Sequence, residues 1–484
     1  MNRNQRHLYY VSIALASIFI LICCATPRPL LRNPSASQPP GPAATKAGGL
    51  SAESARPAPV RPVPIRPAPP QPLAAPPQAA GRGFARAVAL SGDTAVITAP
   101  GATLPGRASV GAAYVYRNTG SSFELQQVLV APTDRAGESF GQTVALSGSQ
   151  LAIGAFSSDI HITDIDASTW SQGEVYIFER PAEDWRYKEK LSERVPIQAD
   201  HEYVTLHEWP LGRKMVIQHN TLVITGRDSE EFLFLFNYRD RGWHFQEQLQ
   251  DSTQIVGALP DGLSIAMDEN TIALGNLKQY TGFSEESHSP EKCEADAVCV
   301  FVRTTKSWNM QQCITKSHDR DQPREGHGES IALAGNTLAI GIPRRQRDGK
   351  PQPGAVEVYE RTGAVWALQA TLQAPYGHSG DEFGRTVALG GERLIVGNRD
   401  SDPVSSEAFV FVRRAGKWEI EGTYSLALPT GGGNPAGAQG PAPRYLGTTL
   451  STDGSTLILG AAQVTPAVAA AQERALIVRF PVAP

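Results

Sequence analysis

From residue 84 to the C-terminus, short apolar runs recur in a fixed order. The clearest copies open Phe84-Ala-Arg-Ala-Val-Ala-Leu-Ser-Gly, Phe140-Gly-Gln-Thr-Val-Ala-Leu-Ser-Gly and Phe383-Gly-Arg-Thr-Val-Ala-Leu-Gly-Gly. Weaker copies start at Leu211, Asp261, His327 and Leu446, so the seven starts lie 50 to 71 residues apart. In each copy an alternating stretch meets a tight turn such as Ser147-Gly-Ser. A run rich in Val, Ile and Leu follows (Ala95-Val-Ile, Leu151-Ala-Ile, Leu338-Ala-Ile), the pattern of a strand buried on both faces. A third run (Ala113-Tyr-Val-Tyr, Val175-Tyr-Ile-Phe, Val356-Glu-Val-Tyr) lies beyond a variable connection. A fourth opens on an aromatic residue: Phe123, Trp185, Trp243, Trp308, Trp366 or Trp418. One aromatic per copy at one position reads as packing between repeats. Four strands per copy without helical periodicity predicts an all-β, seven-bladed β-propeller of four-stranded antiparallel blades.

The seventh copy shows no fourth run, and a strand from the other terminus could complete the ring. Leu73-Ala-Ala-Pro lies eleven residues before Phe84, as Leu129-Val-Ala-Pro lies before Phe140 and Leu372-Gln-Ala-Pro before Phe383. Residues 70–75 are therefore expected to close blade seven as an outer strand, where nearby prolines are tolerable.

These residues resemble the FG-GAP repeat, the unit of the integrin α-subunit head and of many bacterial surface proteins. Phe140-Gly141 and Phe383-Gly384 carry the first half of its signature; Ala99-Pro100, Gly154-Ala-Phe and Gly341-Ile-Pro carry degraded forms of the second. In many such repeats the first hairpin is enlarged into a calcium loop. Here the hairpins are short (Ser91-Gly-Asp-Thr, Ser147-Gly-Ser-Gln, Gly335-Asn-Thr, Gly390-Gly-Glu-Arg) and lack the several oxygen ligands Ca²⁺ needs, so the resemblance is to the subtype without metal loops. No metal or other cofactor is expected.

The N-terminal part is of another kind. Arg3, Arg6 and His7 precede an uncharged stretch from Leu8 to Ile22, too short for a membrane span but fitting a signal-peptide core. Its end, Leu21-Ile22-Cys23-Cys24-Ala25, resembles a bacterial lipoprotein signal. The resemblance implies cleavage after residue 23 and lipid on Cys24, with Cys23 as the alternative, and Ala25 after the Cys implies outer-membrane delivery. Ordinary secretion and an uncleaved anchor are the other readings. Sixteen of the 37 prolines fall between Pro27 and Pro77, so residues 24–69 read as a disordered, semi-stiff tether and 70–484 as the propeller.

A net charge of −4 gives no general attraction to nucleic acid. Three of the five Cys cluster in blade four: Cys299 in the third strand, Cys313 in the fourth and Cys293 in the loop before. In an oxidising compartment Cys293–Cys299 and Cys299–Cys313 are both conceivable pairs. Asp164 and Asp166, His318 to Asp321, and His378 with Asp381 are the remaining polar groupings, and each reads more simply as exposed loop or turn chemistry. No nucleophile elbow, P-loop or HExxH is present. The long connections 157–172 and 276–296 are the better places for recognition.

The function expected is that of a non-enzymatic cell-envelope lipoprotein, outside the cytoplasm. Its monomeric propeller binds a protein or glycan, while the lipid holds it to the membrane. The alternatives are a structural part of an envelope assembly and an enzyme with a site at the central channel.

Overall fold

Each of the seven apolar runs becomes the second strand of an antiparallel sheet, four-stranded in every blade but the fourth, which gains a fifth strand. The structure, a computed structural model, describes residues 70–79, 83–106, 110–132, 139–156, 173–191, 194–196, 203–205, 211–227, 231–249, 255–258, 263–280, 293–305, 307–319, 324–347, 350–376, 381–398, 407–425, 449–461 and 474–480. All belong to one compact unit, Pro64–Pro484. The signal segment, Cys23, Cys24 and the chain up to residue 69 lie outside the described residues.

Counted from the axis outward, blade one is Val88–Ser91, Thr94–Ala99, Ala112–Asn118 and Phe123–Leu129. Blade two is Phe140–Ser147, Gln150–Ala155, Glu174–Glu179 and Arg186–Leu191. Blade three is Leu211–Gln218, Thr221–Arg227, Glu231–Arg239 and Gly242–Leu249. Blade four is Ser264–Asp268, Thr271–Tyr280, Cys293–Arg303 and Trp308–Asp319. Blade five is Ile331–Ala334, Thr337–Ile342, Ala355–Thr362 and Val365–Leu372; blade six is Thr386–Gly390, Arg393–Gly397, Glu407–Arg414 and Lys417–Ser425. Blade seven is Thr449–Thr452, Thr456–Ala461 and Arg474–Arg479, completed by Gln71–Ala74. Each first strand lies against those of its two neighbours, and blade seven's lies against blade one's, so the ring closes.

Side chains alternate across a strand, and in the second strands both faces meet a neighbouring blade. Ala95 and Ile97 pack with Ile458 and Ile477 of blade seven, whereas Val96 packs with Leu151 and Ile153 of blade two. That is why these runs are continuously apolar. The Phe-Gly opening has its own geometry. Phe84, Phe140 and Phe383 are fully buried, each against an aromatic of its blade's third strand: Tyr114 at 5.8 Å, Tyr176 at 5.6 Å and Phe409 at 5.3 Å between ring centroids. Gly384 follows with φ +92°, and a Cβ there would sit 2.5 Å from the Ala355 carbonyl, so no other residue fits.

Neighbouring blades are stapled at a position the sequence does not announce. Gln71 brackets Phe123 of blade one: the Phe123 N–H donates to Gln71 Oε1 at 2.9 Å, and Gln71 Nε2 donates to the Phe123 carbonyl at 3.0 Å. Gln127 does the same for Trp185, and Gln312 for Trp366. Glu189 accepts the Trp243 N–H at 3.1 Å. A second staple uses arginine. Arg180, Arg303 and Arg361 each lie over the Trp of their own blade and reach a threonine of the preceding one: Thr94, Thr221 and Thr271. Five of the six aromatic openers are buried and Trp418 is half-buried. In blades one to six the outer strand carries a bulge at one shared position, a device that spoils the edge for further pairing.

Blade four departs from the sequence reading. Much of 276–296 is strand rather than loop, because the ladder resumes past a bulge and runs from Leu277↔Ala297 to Tyr280↔Glu294. Cys293 therefore opens the third strand, and His318 and Asp319 end the fourth. Cys299 and Cys313 stand opposite each other on those strands, Cα atoms 4.0 Å apart, and their sulfurs are joined. An additional strand, Ile255–Ala258, pairs with the extension of the second strand.

Candidate functional site

The first strands all begin at one opening of the ring. Alternation of direction puts the ends of the second and fourth strands on that same face. The segments 157–172, 281–292 and 426–448, which lie outside the described residues, leave from strand ends there. The opposite face carries the short hairpins. Asp93, in the first of these, is committed to Arg117 and Arg180.

Two positions beyond each Phe-Gly place, the repeat delivers one side chain to this mouth. The residues are Arg86, Gln142, Arg213, Leu263, Glu329 and Arg385 in blades one to six. Contacts between neighbours show that the position is shared: Arg86 Nε donates to Gln142 Oε1 at 3.3 Å, and Arg385 Nη1 lies 2.9 Å from Glu329 Oε2. The two sides of the mouth differ in charge. At blades five and six, Glu329 is held between Arg344 and Arg385, and Arg385 also faces Glu382 at 3.7 Å. At blades one to three, neither Arg86 nor Arg213 makes an ion pair among the described residues. Arg86 is exposed to solvent, yet the protein around it dehydrates the guanidinium enough to lower its pKa.

Outward from Glu329 runs an ionic network that the repeat pattern does not call for. His327 stands in the Phe place of blade five. Glu357 stands where blades one, two, three and six put an aromatic: it pairs with Ile340 as Tyr114 pairs with Ile97, Tyr176 with Ile153, Phe234 with Ile224 and Phe409 with Val396. An aromatic pair has been exchanged for His327, which is 1% exposed, with its Nε2 3.6 Å from Glu357 Oε2. Its Nδ1 has no hydrogen-bond partner among the described residues. Lys316 of blade four lies 3.5 Å from Glu357 and 3.1 Å from Glu325, and the Tyr359 hydroxyl donates to Glu357 at 2.9 Å. Arg324 meets the buried Asp296 at 3.4 Å. Burial alone would raise the pKa of Glu357, but His327, Lys316 and Tyr359 outweigh it and hold it at about 2, against an ordinary 4.5. Burial, with the Glu357 charge beside it, pushes Tyr359 up.

A carboxylate with a depressed pKa stabilises the fold fully above its unfolded value and loses that contribution as pH falls toward the folded one. Glu357 is thus expected to add up to about 3 kcal/mol at neutral pH, lost between about pH 4.5 and 2. Denaturant midpoints followed across that window should fall in the natural protein and stay flatter in Glu357→Gln.

Of the groupings singled out in the sequence, Asp164, Asp166, Asp321 and His378 lie outside the described residues, and the side chains of Cys293, His318 and Asp319 are not described. Asp381 is buried beside Phe383 in sequence, within blade six's entry to the ring. The mouth residues and the His327–Glu357 exchange escaped the sequence reading. A signal for the exchange was there: aligning the copies exposes His327 at a place that blades one, two and six fill with Phe.

Residues 71–116, 123–178 and 366–411 match the family described as FG-GAP repeat. No curated protein matches the chain. Among solved structures, a protein from Lactobacillus plantarum is 13% identical with a TM-score of 0.39, over 70% of this chain and 84% of its own. A candidate 6-phosphogluconolactonase from Bacteroides uniformis ATCC 8492 is 11% identical with a TM-score of 0.39, over 70% of this chain and 88% of its own. Neither likeness bears on activity.

Proposed function

We propose that this seven-bladed β-propeller, three segments of which match the FG-GAP repeat, serves as a non-enzymatic binding module of the cell envelope, its ligand a protein or a glycan. One observation carries the reading. The aromatics and arginines repeated around the ring are spent on stapling blades, whereas the departures from the repeat gather on one face. That face holds the polar mouth, the His327–Glu357 network and the strand ends from which the long connections leave. Rigid scaffolds present recognition groups in this way. The mouth offers donors, and its carboxylate Glu329 is neutralised by two guanidiniums, an arrangement that suits holding a ligand better than moving its protons.

The N-terminal signal supports lipid attachment at Cys24, with Ala25 favouring the outer membrane and the Pro-rich stretch acting as tether. Fractionation tests this part. The natural protein should pellet with membranes and Cys24→Ala should move to the soluble fraction, and retention of the variant would sink lipidation at Cys24. For the binding module, the purified Cys24→Ala protein, free of that lipid, should be retained saturably on isolated envelopes and should leave the mass of the retained ligand unchanged. Turnover of the ligand would replace this reading with an enzyme at the channel.

A further inference from the structure

We propose that Arg86, Gln142 and Arg213 form an oxyanion-binding site at the ring's mouth, taking a carboxylate or phosphate group of the ligand. The site rests on the binding-module reading and names the chemistry of its contact.

The three side chains come from the same repeat position of consecutive blades, so the fold sets them side by side along one arc of the opening. Arg86 Nε donates to Gln142 Oε1, which occupies one of the two lone pairs of that amide oxygen. The groups left over are predominantly donors: both Nη groups of Arg86, the Nε2 of Gln142 and the whole guanidinium of Arg213. No described residue takes any of these in a hydrogen bond or an ion pair. A surface so rich in donors, with two positive charges, selects an acceptor-only anion.

Other parts of the ring show that this is a departure. Arg385 holds the equivalent position in blade six, yet it is neutralised by Glu329 and Glu382. Arg180, Arg303 and Arg361 are consumed by threonines and tryptophans between blades. Among blades one to three the mouth carries two guanidiniums and no opposing carboxylate among the described residues. Protein around Arg86 dehydrates it, which strengthens its attraction for an anion beside it.

The test titrates the full-length protein, solubilised in detergent, with inorganic phosphate and separately with citrate, by calorimetry at low ionic strength. Saturable binding of at least one probe is expected. Arg86→Gln and Arg213→Gln should each weaken it by about tenfold or more, the loss of a charged hydrogen bond. Arg414→Gln, at the end of a third strand on the opposite face, should leave it unchanged, and equal melting temperatures would show that the variants are folded. Binding of phosphate alone assigns a phosphate-bearing ligand, and binding of citrate alone a carboxylate-bearing one. No binding of either probe, or binding indifferent to both arc variants, overturns the site. Retention on isolated envelopes is measured with the same proteins carrying Cys24→Ala, so that no lipid at that residue holds them. Protein with the natural arc and arc variants retained alike would dispose of the oxyanion site and keep the binding module. Protein with the natural arc not retained would dispose of the module itself.

Discussion

Deletion of residues 70–75 should lower the melting temperature by about 5 °C and cause the protein to self-associate. The reasoning starts from what Gln71–Ala74 does. It pairs with Arg474–Arg479 from Gln71↔Ile477 to Ala74↔Arg474 and supplies the outer strand of blade seven. Leu73 is buried in the cluster that holds Phe84, Tyr114 and Ile477. Burying a leucine is worth about 1.5–3 kcal/mol, and the two hydrogen bonds between Gln71 and Phe123 add roughly 1 kcal/mol each. Losing about 4 kcal/mol is a large share of the 5–15 kcal/mol that is usual for a fold, roughly. Without the strand, Arg474–Arg479 becomes an unpaired edge, Arg-Ala-Leu-Ile-Val-Arg, with an apolar centre and no bulge to guard it. Calorimetry and size-exclusion chromatography read both effects. An unchanged melting temperature and a monomeric elution would show that the ring does not depend on this strand.

Phe140→Ala is expected to cost about 3–5 kcal/mol, the range for emptying a buried phenylalanine site. Phe140 is fully buried, in edge or tilted contact with Tyr176 and Phe178, and it belongs to the cluster joining blades one and two. The informative comparison is at blade five, where the equivalent pair is His327 and Glu357. The double variant His327→Phe/Glu357→Tyr restores what three other blades carry. Replacing a buried ionic pair by well-packed apolar groups is often neutral or stabilising. It should therefore lie within about 1 kcal/mol of the natural protein at neutral pH while Phe140→Ala is crippled. Denaturant unfolding of the three proteins decides it. A double variant as damaged as Phe140→Ala would make the ionic network a structural requirement of blade five. A stable double variant leaves the network to be explained by what this face of the ring does.

The parts of the fold that were legible in the sequence are those that depend on one blade at a time. The run Ala95-Val-Ile declares a strand buried on both faces, and the eleven-residue offset of Leu73 matches those of Leu129 and Leu372. Features that depend on two blades were hidden. Gln127 reads as a surface residue of an outer strand until Trp185 of the next blade is set beside it. Arg303 reads as a solvated charge until Thr221 and Trp308 enclose it. The mouth was hidden for the same reason, since Arg86, Gln142 and Arg213 are far apart in the chain and come side by side only where consecutive blades pack. Blade four misled because its bulged second strand, with Asn276 at φ +62°, interrupts the apolar pattern and resembles the start of a loop. The partner of Cys299 became plain only from the register that sets Cys313 opposite.

The account depends on a closed, rigid ring holding residues of distant copies side by side at one mouth. Hydrogen exchange at single-residue resolution across Arg474–Arg479 tests this most directly. Here the strand is bonded on one side by Thr456–Ala461 and on the other by Gln71–Ala74. Closure predicts slow exchange at every amide from Arg474 to Ile477, on both edges of the strand. Alternate amides exchanging at the rate of an unstructured chain would mean that the outer side is unpaired, and would contradict the closed ring.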